Sequence, residues 1–281
     1  MKTKVIFFGN GLLADAALKR LESSDSIEVI FHAREKADLE TVKTLKAENP
    51  DAKAVLASFG VMIKSDVLDI FEPEGILNVH PSLLPKYRGA SPIESAIIAG
   101  DKDFSVSVMK LVKAMDAGPL YYQATIKAED FSSEYPEKTE IYDKLATAGT
   151  DWIIEHINDL PTPTEQDNSE ATFTTKFDTS MSVLDLAKSA AELLNQIRAF
   201  QIFPKSKITI ADLECTIIKA HLATENEVNT ITTTGTGDQI VTTKKLLAIK
   251  AGDGNYLVID QLQPAGRKIM DAIAFKNGYM K

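Results

Sequence analysis

The sequence is poor in cysteine, in histidine and in long apolar runs, and each shortage removes a class of protein. A single cysteine, Cys215, leaves no internal disulfide framework and no cysteine-rich zinc site. The 4 histidines are scattered without metal-ligand spacing, so no metal is expected. No apolar stretch approaches the roughly 20 residues of a membrane helix, so no membrane partner is expected either. The opening Met1-Lys2-Thr3-Lys4 runs straight into Val5-Ile6-Phe7-Phe8 and Gly9. That run is too short for a signal-peptide core and reads as a first buried strand. Internal repeats are absent. A net charge of −9 has the wrong sign for broad, non-specific nucleic-acid binding. A cytoplasmic enzyme fits these limits, with a monomer expected.

What is present is ordinary in amount and informative in order. The 281 residues suffice for a core domain plus a smaller one, at 44% hydrophobic and 25% charged residues. Apolar runs at 5–8, 27–31, 54–57 and 76–80 alternate with helical patterns at 12–21, 36–48 and 67–70. This alternation predicts an α/β fold, a Rossmann-like and mostly parallel sheet with its active site at the carboxyl ends of the strands. A further strand is read at 104–112 and a long helix at 142–157. The Pro- and Thr-rich stretch from Asp159-Leu160-Pro161-Thr162-Pro163-Thr164 to Thr179 reads as a linker. A helix is then read over 183–200. Short strands with Thr and Gly turns follow from 207, predicting a small C-terminal β-barrel. The implied division is a catalytic domain over 1–180, a connecting helix over 181–205 and a β-barrel domain over 206–281. From 205 onward 10 Lys or Arg stand against 8 Asp or Glu, a net +2, which leaves −11 for residues 1–204. A slightly basic tail module on an acidic body can touch a phosphate backbone.

Three clusters could carry chemistry. Gly9-Asn10-Gly11-Leu12-Leu13-Ala14 fits a dinucleotide-binding turn, but the end of the second strand, Phe31-His32-Ala33-Arg34-Glu35, does not clearly place the acidic partner that pattern wants. The second cluster is Asn78-Val79-His80-Pro81-Ser82-Leu83-Leu84-Pro85-Lys86-Tyr87-Arg88-Gly89. Asn78 and His80 share one strand face. The amide suits a developing oxyanion, and the imidazole can donate to that oxygen or shuttle a proton. Two prolines and a glycine then fix an irregular loop suited to clamping a ligand. A histidine on a strand is often only a satisfied structural residue; the neighbouring asparagine and loop favour catalysis. In the third cluster, Met115-Asp116-Ala117-Gly118-Pro119, the aspartate can cap a turn or orient and deprotonate beside the histidine.

The run from Asn78 to Asp101, closing Pro92-Ile93-Glu94-Ser95-Ala96-Ile97-Ile98-Ala99-Gly100-Asp101, resembles the formyltransferase superfamily. Within it the resemblance is to the family that formylates methionyl initiator tRNA for translation initiation. By that resemblance Asn78, His80 and Asp116 are the catalytic residues and 10-formyltetrahydrofolate is the formyl donor. Phe59, Gly60, Val61 and Met62 would cradle its pterin, with Ser82, Leu83, Leu84 and Pro85 as further folate contacts. Leu193 to Pro204 is similar to that family's entry into its C-terminal domain, and Gln263 to Met270 to its closing motif, so nearly the whole chain is covered. Arg198, Lys205, Arg267 and Lys268 are the tRNA contacts this implies. The family's long basic loop after the second strand is short here, where Arg34, Lys36, Lys43 and Lys46 lie among five acidic residues. Its Trp-containing segment is also altered, at 177–186. Alternatives are an N-formyltransferase acting on a sugar nucleotide or other small amine, a formyl-folate hydrolase and, on the glycine turn alone, a nicotinamide-dependent oxidoreductase.

Overall fold

A computed structural model describes residues 2–280. The chain forms two compact units, one from residues up to 96 together with 101–175, the other from 97–100 together with 176 onward. The first contains β1 (Thr3–Gly9), α1 (Leu12–Glu22), β2 (Ile27–Ala33), α2 (Leu39–Glu48), β3 (Lys53–Ala57), α3 (Ser65–Leu68), β4 (Ile76–His80), β5 (Arg88–Gly89), the start of α4 (Pro92–Ala99), β6 (Phe104–Lys110), β7 (Leu120–Ile126), α5 (Lys138–His156) and β8 (Phe173–Thr174). Its main sheet has the order β2-β1-β3-β4-β6-β7. Strands β1 to β4 pair in parallel, while β6 and β7 continue the sheet antiparallel.

Burial explains these strands. Val5, Ile6, Phe7 and Phe8 are all fully buried, as expected of a strand covered on both faces. On one face Gly149 of α5 lies so close to Val79, Val106 and Val108 that a Cβ there would come within 2.9 Å of Val79. The other face packs Ile6, Phe8, Leu56 and Ile76 against Val42 of α2 and Val67 and Leu68 of α3. Asn78 and His80 follow Ile76 on that same face by strand alternation.

Besides the short β5–β8 pair and the earlier start of α5, three elements depart from the sequence reading in this unit. The strand read at 104–112 stops at Lys110, where the chain leaves the sheet and returns through an N–H of Lys110 donating to Pro119 O at 3.0 Å. Strand β7 was unforeseen because it is an edge strand with no buried residue, and so lacks an apolar signature. Helix α4 was also unforeseen, though it opens with Pro92 in the first turn, where a missing N–H costs nothing.

The second unit contains α6 (Ala190–Ala199), β9 (Ser206–Ile210), β10 (Leu213–Leu222), α7 (Glu225–Thr234), β11 (Ile240–Thr242), β12 (Leu247–Lys250), β13 (Tyr256–Pro264), β14 (Met270–Asp271) and α8 (Ala272–Tyr279). All strand pairs are antiparallel, in the order β11-β12-β13-β10-β9 with β14 on β13, a curled half-barrel. The connecting helix read over 181–205 is corrected to Ala190–Ala199. Its start is set by a capping box: Ser189 Oγ accepts from the Glu192 N–H, and the Ser189 N–H donates to Glu192 Oε2 at 2.9 Å. Upstream, Asp185 Oδ1 accepts from the Ala187 N–H and the Leu184 N–H donates to Lys207 O, so side chain and sheet take the groups a helix would need. A second capping box, Thr224 with Glu227, starts α7 inside a Thr-rich stretch that reads as turns. Among the described residues no helix is long and apolar enough to cross a membrane.

Candidate active site

The site grows from the carboxyl end of β4. There Asn78 pairs in register with Leu56 of β3 and Met109 of β6, and His80 with Ser107 of β6. Both side chains are only 5% exposed. Among the described residues the Asn78 amide has no hydrogen-bond partner. An amide whose donor hydrogens the protein does not use can give them to a ligand.

His80 is fixed on both sides. Its Nε2 lies 3.2 Å from Tyr87 O, and since a carbonyl only accepts, Nε2 carries the hydrogen. Nδ1 faces Asp116 Oδ1 at 3.8 Å. Burial holds the imidazole below its ordinary pKa. The Asp116 charge and the Tyr87 hydrogen bond oppose this only partly, and the Arg88 charge adds to it. His80 is therefore neutral at neutral pH, with an unprotonated Nδ1 directed at a carboxylate. Asp116 lies in the loop between β6 and β7, in the left-handed region at φ 49°. Its Oδ2 accepts from the Gly89 N–H at 2.7 Å.

The loop after β4 is pinned by one hydroxyl. Ser107, fully buried, donates to Ser82 O at 2.7 Å and accepts from the Leu84 N–H at 3.1 Å and Gln123 Nε2 at 3.0 Å. Gln123 also donates to Leu84 O, and Ser82 Oγ donates to Lys86 O. The loop is thus rigid, with Leu84 buried and Leu83 exposed. In the other expected ligand loop, Phe59 is buried edge-on against Phe8 and anchors the segment from below. Gly60 is left-handed, and nothing lies within 4 Å of where its Cβ would be, so the backbone there is approachable. Met62 stands 81% exposed.

The glycine turn has a packing explanation. A Cβ on Gly9 would sit 2.1 Å from Ala57 O, so the close approach of β1 to β3 requires that residue whatever the ligand.

Residues 4–157 match the model of the formyl transferase family, and residues 176–280 that of the formyl transferase C-terminal domain. The chain belongs to the formyl transferase family. Among its relatives, a methionyl-tRNA formyltransferase of Granulibacter bethesdensis is 32% identical over 267 residues, 95% of this chain and 81% of that one. HypX from Aquifex aeolicus, in a structure with tetrahydrofolic acid, superposes with a TM-score of 0.71 at 16% identity, covering 99% of this chain and 47% of its own. The chain thus spans about half the length of HypX. WlaRD, a sugar 3N-formyl transferase, gives a TM-score of 0.61 at 19% identity, covering 95% of this chain and 99% of its own. At such identities these two structures speak to fold alone.

In the first unit His80 and Asp116 stand 3.8 Å apart, and Asn78 lies two residues before His80 on the same strand. The four basic residues singled out in the tail lie at three places in the second unit. Arg198 is half-buried, and its Nη1 donates to Asn195 Oδ1. Lys205 is exposed just before β9. Arg267 and Lys268 are exposed in the β13–β14 turn, where the register brings Ala265 to Glu214, towards the other end of β9. In the short segment after β2, Lys43 pairs with Glu40 and Asp66, and Lys46 donates to Pro50 O and Ala52 O. Those lysines serve the fold. Two residues beside the site escaped the sequence reading, Arg88 and Gln166, both buried. For Arg88 the available signal was its place between Tyr87 and Gly89, at the end of the loop that follows His80. Gln166, in a stretch that reads as linker, gave none.

Proposed function

We propose that the chain transfers the formyl group of 10-formyltetrahydrofolate to the amino group of methionyl initiator tRNA. The observation that carries this is the buried His80 with Nδ1 3.8 Å from Asp116 Oδ1, beside the Asn78 amide on one strand face. The names of relatives covering most of the chain supply the substrate.

The residues fit a folate donor. The approachable backbone at Gly60, and Met62 and Leu83 exposed in the two loops, offer a polar edge and apolar contacts to a flat heterocycle. When bound, that donor supplies an activated formyl carbon. The Asn78 amide donates to the formyl oxygen as it gains charge on attack by the amine. His80 Nδ1 takes the proton the amine sheds, and the Asp116 carboxylate stabilises the imidazolium so formed. The same proton then passes to the departing nitrogen, and His80 returns neutral. The sequence left two roles open for His80, and its resting neutrality favours proton shuttling over oxyanion binding. Asp116, held by Gly89, then acts on the imidazole and does not deprotonate the amine itself. A cytoplasmic setting and the absence of a metal requirement belong to this reading.

Single-turnover transfer from 10-formyltetrahydrofolate to methionyl initiator tRNA, run beside His80→Ala, tests it. Transfer by the wild type that is lost in the variant supports both the reaction and its centre. Labelling of an amino sugar in its place would keep the centre and replace the acceptor, as the engaged lysines after β2 would then make sense. Formate release without an amine product would mark a hydrolase.

A further inference from the structure

Asp116 sits at positive φ, a conformation that costs an aspartate less than most side chains but that partners on its main chain can fix. The holding group is Gln166. Its Nε2 donates to Asp116 O at 2.9 Å and to Gly118 O at 2.7 Å. Its Oε1 accepts from Arg88 Nε at 3.1 Å and Arg88 Nη2 at 2.7 Å, and Arg88 also donates to Asn168 Oδ1. The residue after Arg88 is Gly89, whose N–H holds Asp116 Oδ2. A closed ring results: guanidinium to glutamine, glutamine to the Asp116 main chain, Asp116 carboxylate to Gly89, and Gly89 by a peptide bond back to Arg88.

The chemistry of this ring admits few substitutes. A guanidinium offers only donors and the two carbonyls offer only acceptors, so the group between them must accept on one side and donate twice on the other. A primary amide does this, and asparagine is one methylene too short. The loop it grips is tightly built, since a Cβ on Gly118 would lie 1.8 Å from Lys110 O. Fixing the Asp116 main chain and Oδ2 leaves Oδ1 as the oxygen facing His80. We infer that Gln166 is a positioning residue for formyl transfer, setting the distance between the Asp116 carboxylate and His80 Nδ1 through the Arg88–Gln166–Asp116 ring. This rests on the assignment of Asp116 to proton handling.

Gln166→Glu separates positioning from stability. The introduced carboxylate keeps Arg88 paired but turns lone pairs toward the Asp116 and Gly118 carbonyls, pushing the loop away. Asp116→Asn is measured first in single-turnover formyl transfer; a rate equal to wild type would sink the assignment of Asp116, and with it this inference. With that rate reduced, Gln166→Glu is expected to be slower by about 10- to 100-fold, the scale of a misplacement of about 1 Å. Donor binding should stay within about twofold. The Asp116→Asn, Gln166→Glu double variant should be no slower than Asp116→Asn alone, because both remove one function. A Gln166→Glu rate within about threefold of wild type, or a double variant slowed by the product of the two single effects, would overturn the inference. Should Gln166→Glu fail to fold, Gln166→Met is put through the same rates and double variant, with the same outcomes deciding.

Discussion

His80 in the first unit and His221 in the second are each placed beside carboxylates, yet their charge is driven in opposite directions. His80 is buried with one carboxylate at 3.8 Å, and burial wins, so its pKa falls. His221 on β10 is 40% exposed, with Asp260 Oδ2 at 3.0 Å and Glu227 oxygens at 3.2 Å. Partial burial pulls its pKa down, but the Asp260 and Glu227 interactions together outweigh it, and the net shift is upward. Carboxylates nearby therefore do not decide a histidine's charge; dehydration and contact distance together do. The first arrangement makes a base that is free at neutral pH. The second favours the protonated imidazole, whose hydrogen bonds tie β10 to β13 and α7.

If that contrast is functional, the largest effects lie on the buried side. Asn78→Ala should slow single-turnover transfer by about 100- to 1,000-fold, the usual cost of one lost oxyanion donor, with donor binding little changed. A rate near wild type would remove Asn78 from the oxyanion. For His80 the expectation concerns pH. A base must be neutral to act, so the rate should climb with pH and level off at a midpoint below roughly 6.5. Since the Asp116 charge raises the His80 pKa, Asp116→Asn should move that midpoint still lower. A midpoint at or above the ordinary histidine value would break the comparison at its first term.

The dry side should also be the costlier one to perturb in stability. Ser107→Ala removes the partner of the Leu84 N–H and the Ser82 carbonyl in a fully buried place. Such orphaned groups cost about 1–3 kcal/mol each, so a clear fall in the urea midpoint is expected. An unchanged midpoint would mean that water replaces the hydroxyl.

How much of this could be read from residues varies with how local the cause is. The parallel strands were legible because buried runs such as Val5 to Phe8 announce themselves, and the Asn78–His80 pair because alternation puts both on one face. The short reach of α6 was not, since Ser189 with Glu192 stops the helix from extending upstream while an apolar pattern continues to Val183. Strand β7 hid because its edge position leaves it half-solvated. Gln166 was illegible for another reason. Its role depends on Arg88 and Asp116, distant in sequence and joined only by the fold.

The smallest expected effect lies at His221, in a hollow of about 610 Å³ that it shares with Glu227, Asp260, Asp271, Lys219 and Lys245. Its folded pKa is raised, so its contribution to stability is complete below the unfolded value near roughly 6.5 and fades as pH rises through the folded value. The group is well solvated, which keeps that contribution under about 1 kcal/mol. Asp260→Asn should therefore lower the unfolding midpoint slightly on the acid side of neutrality and hardly at all well above it. His80, with its lowered pKa, contributes the opposite sign: its share is present above the unfolded value and lost on acidification. His80→Asn should then remove the slope on the acid side, His221→Gln the slope above it, and the double variant both. If Asp260→Asn instead costs the same at every pH, the carboxylate acts through neutral hydrogen bonding, and His221 is not the cation this contrast requires.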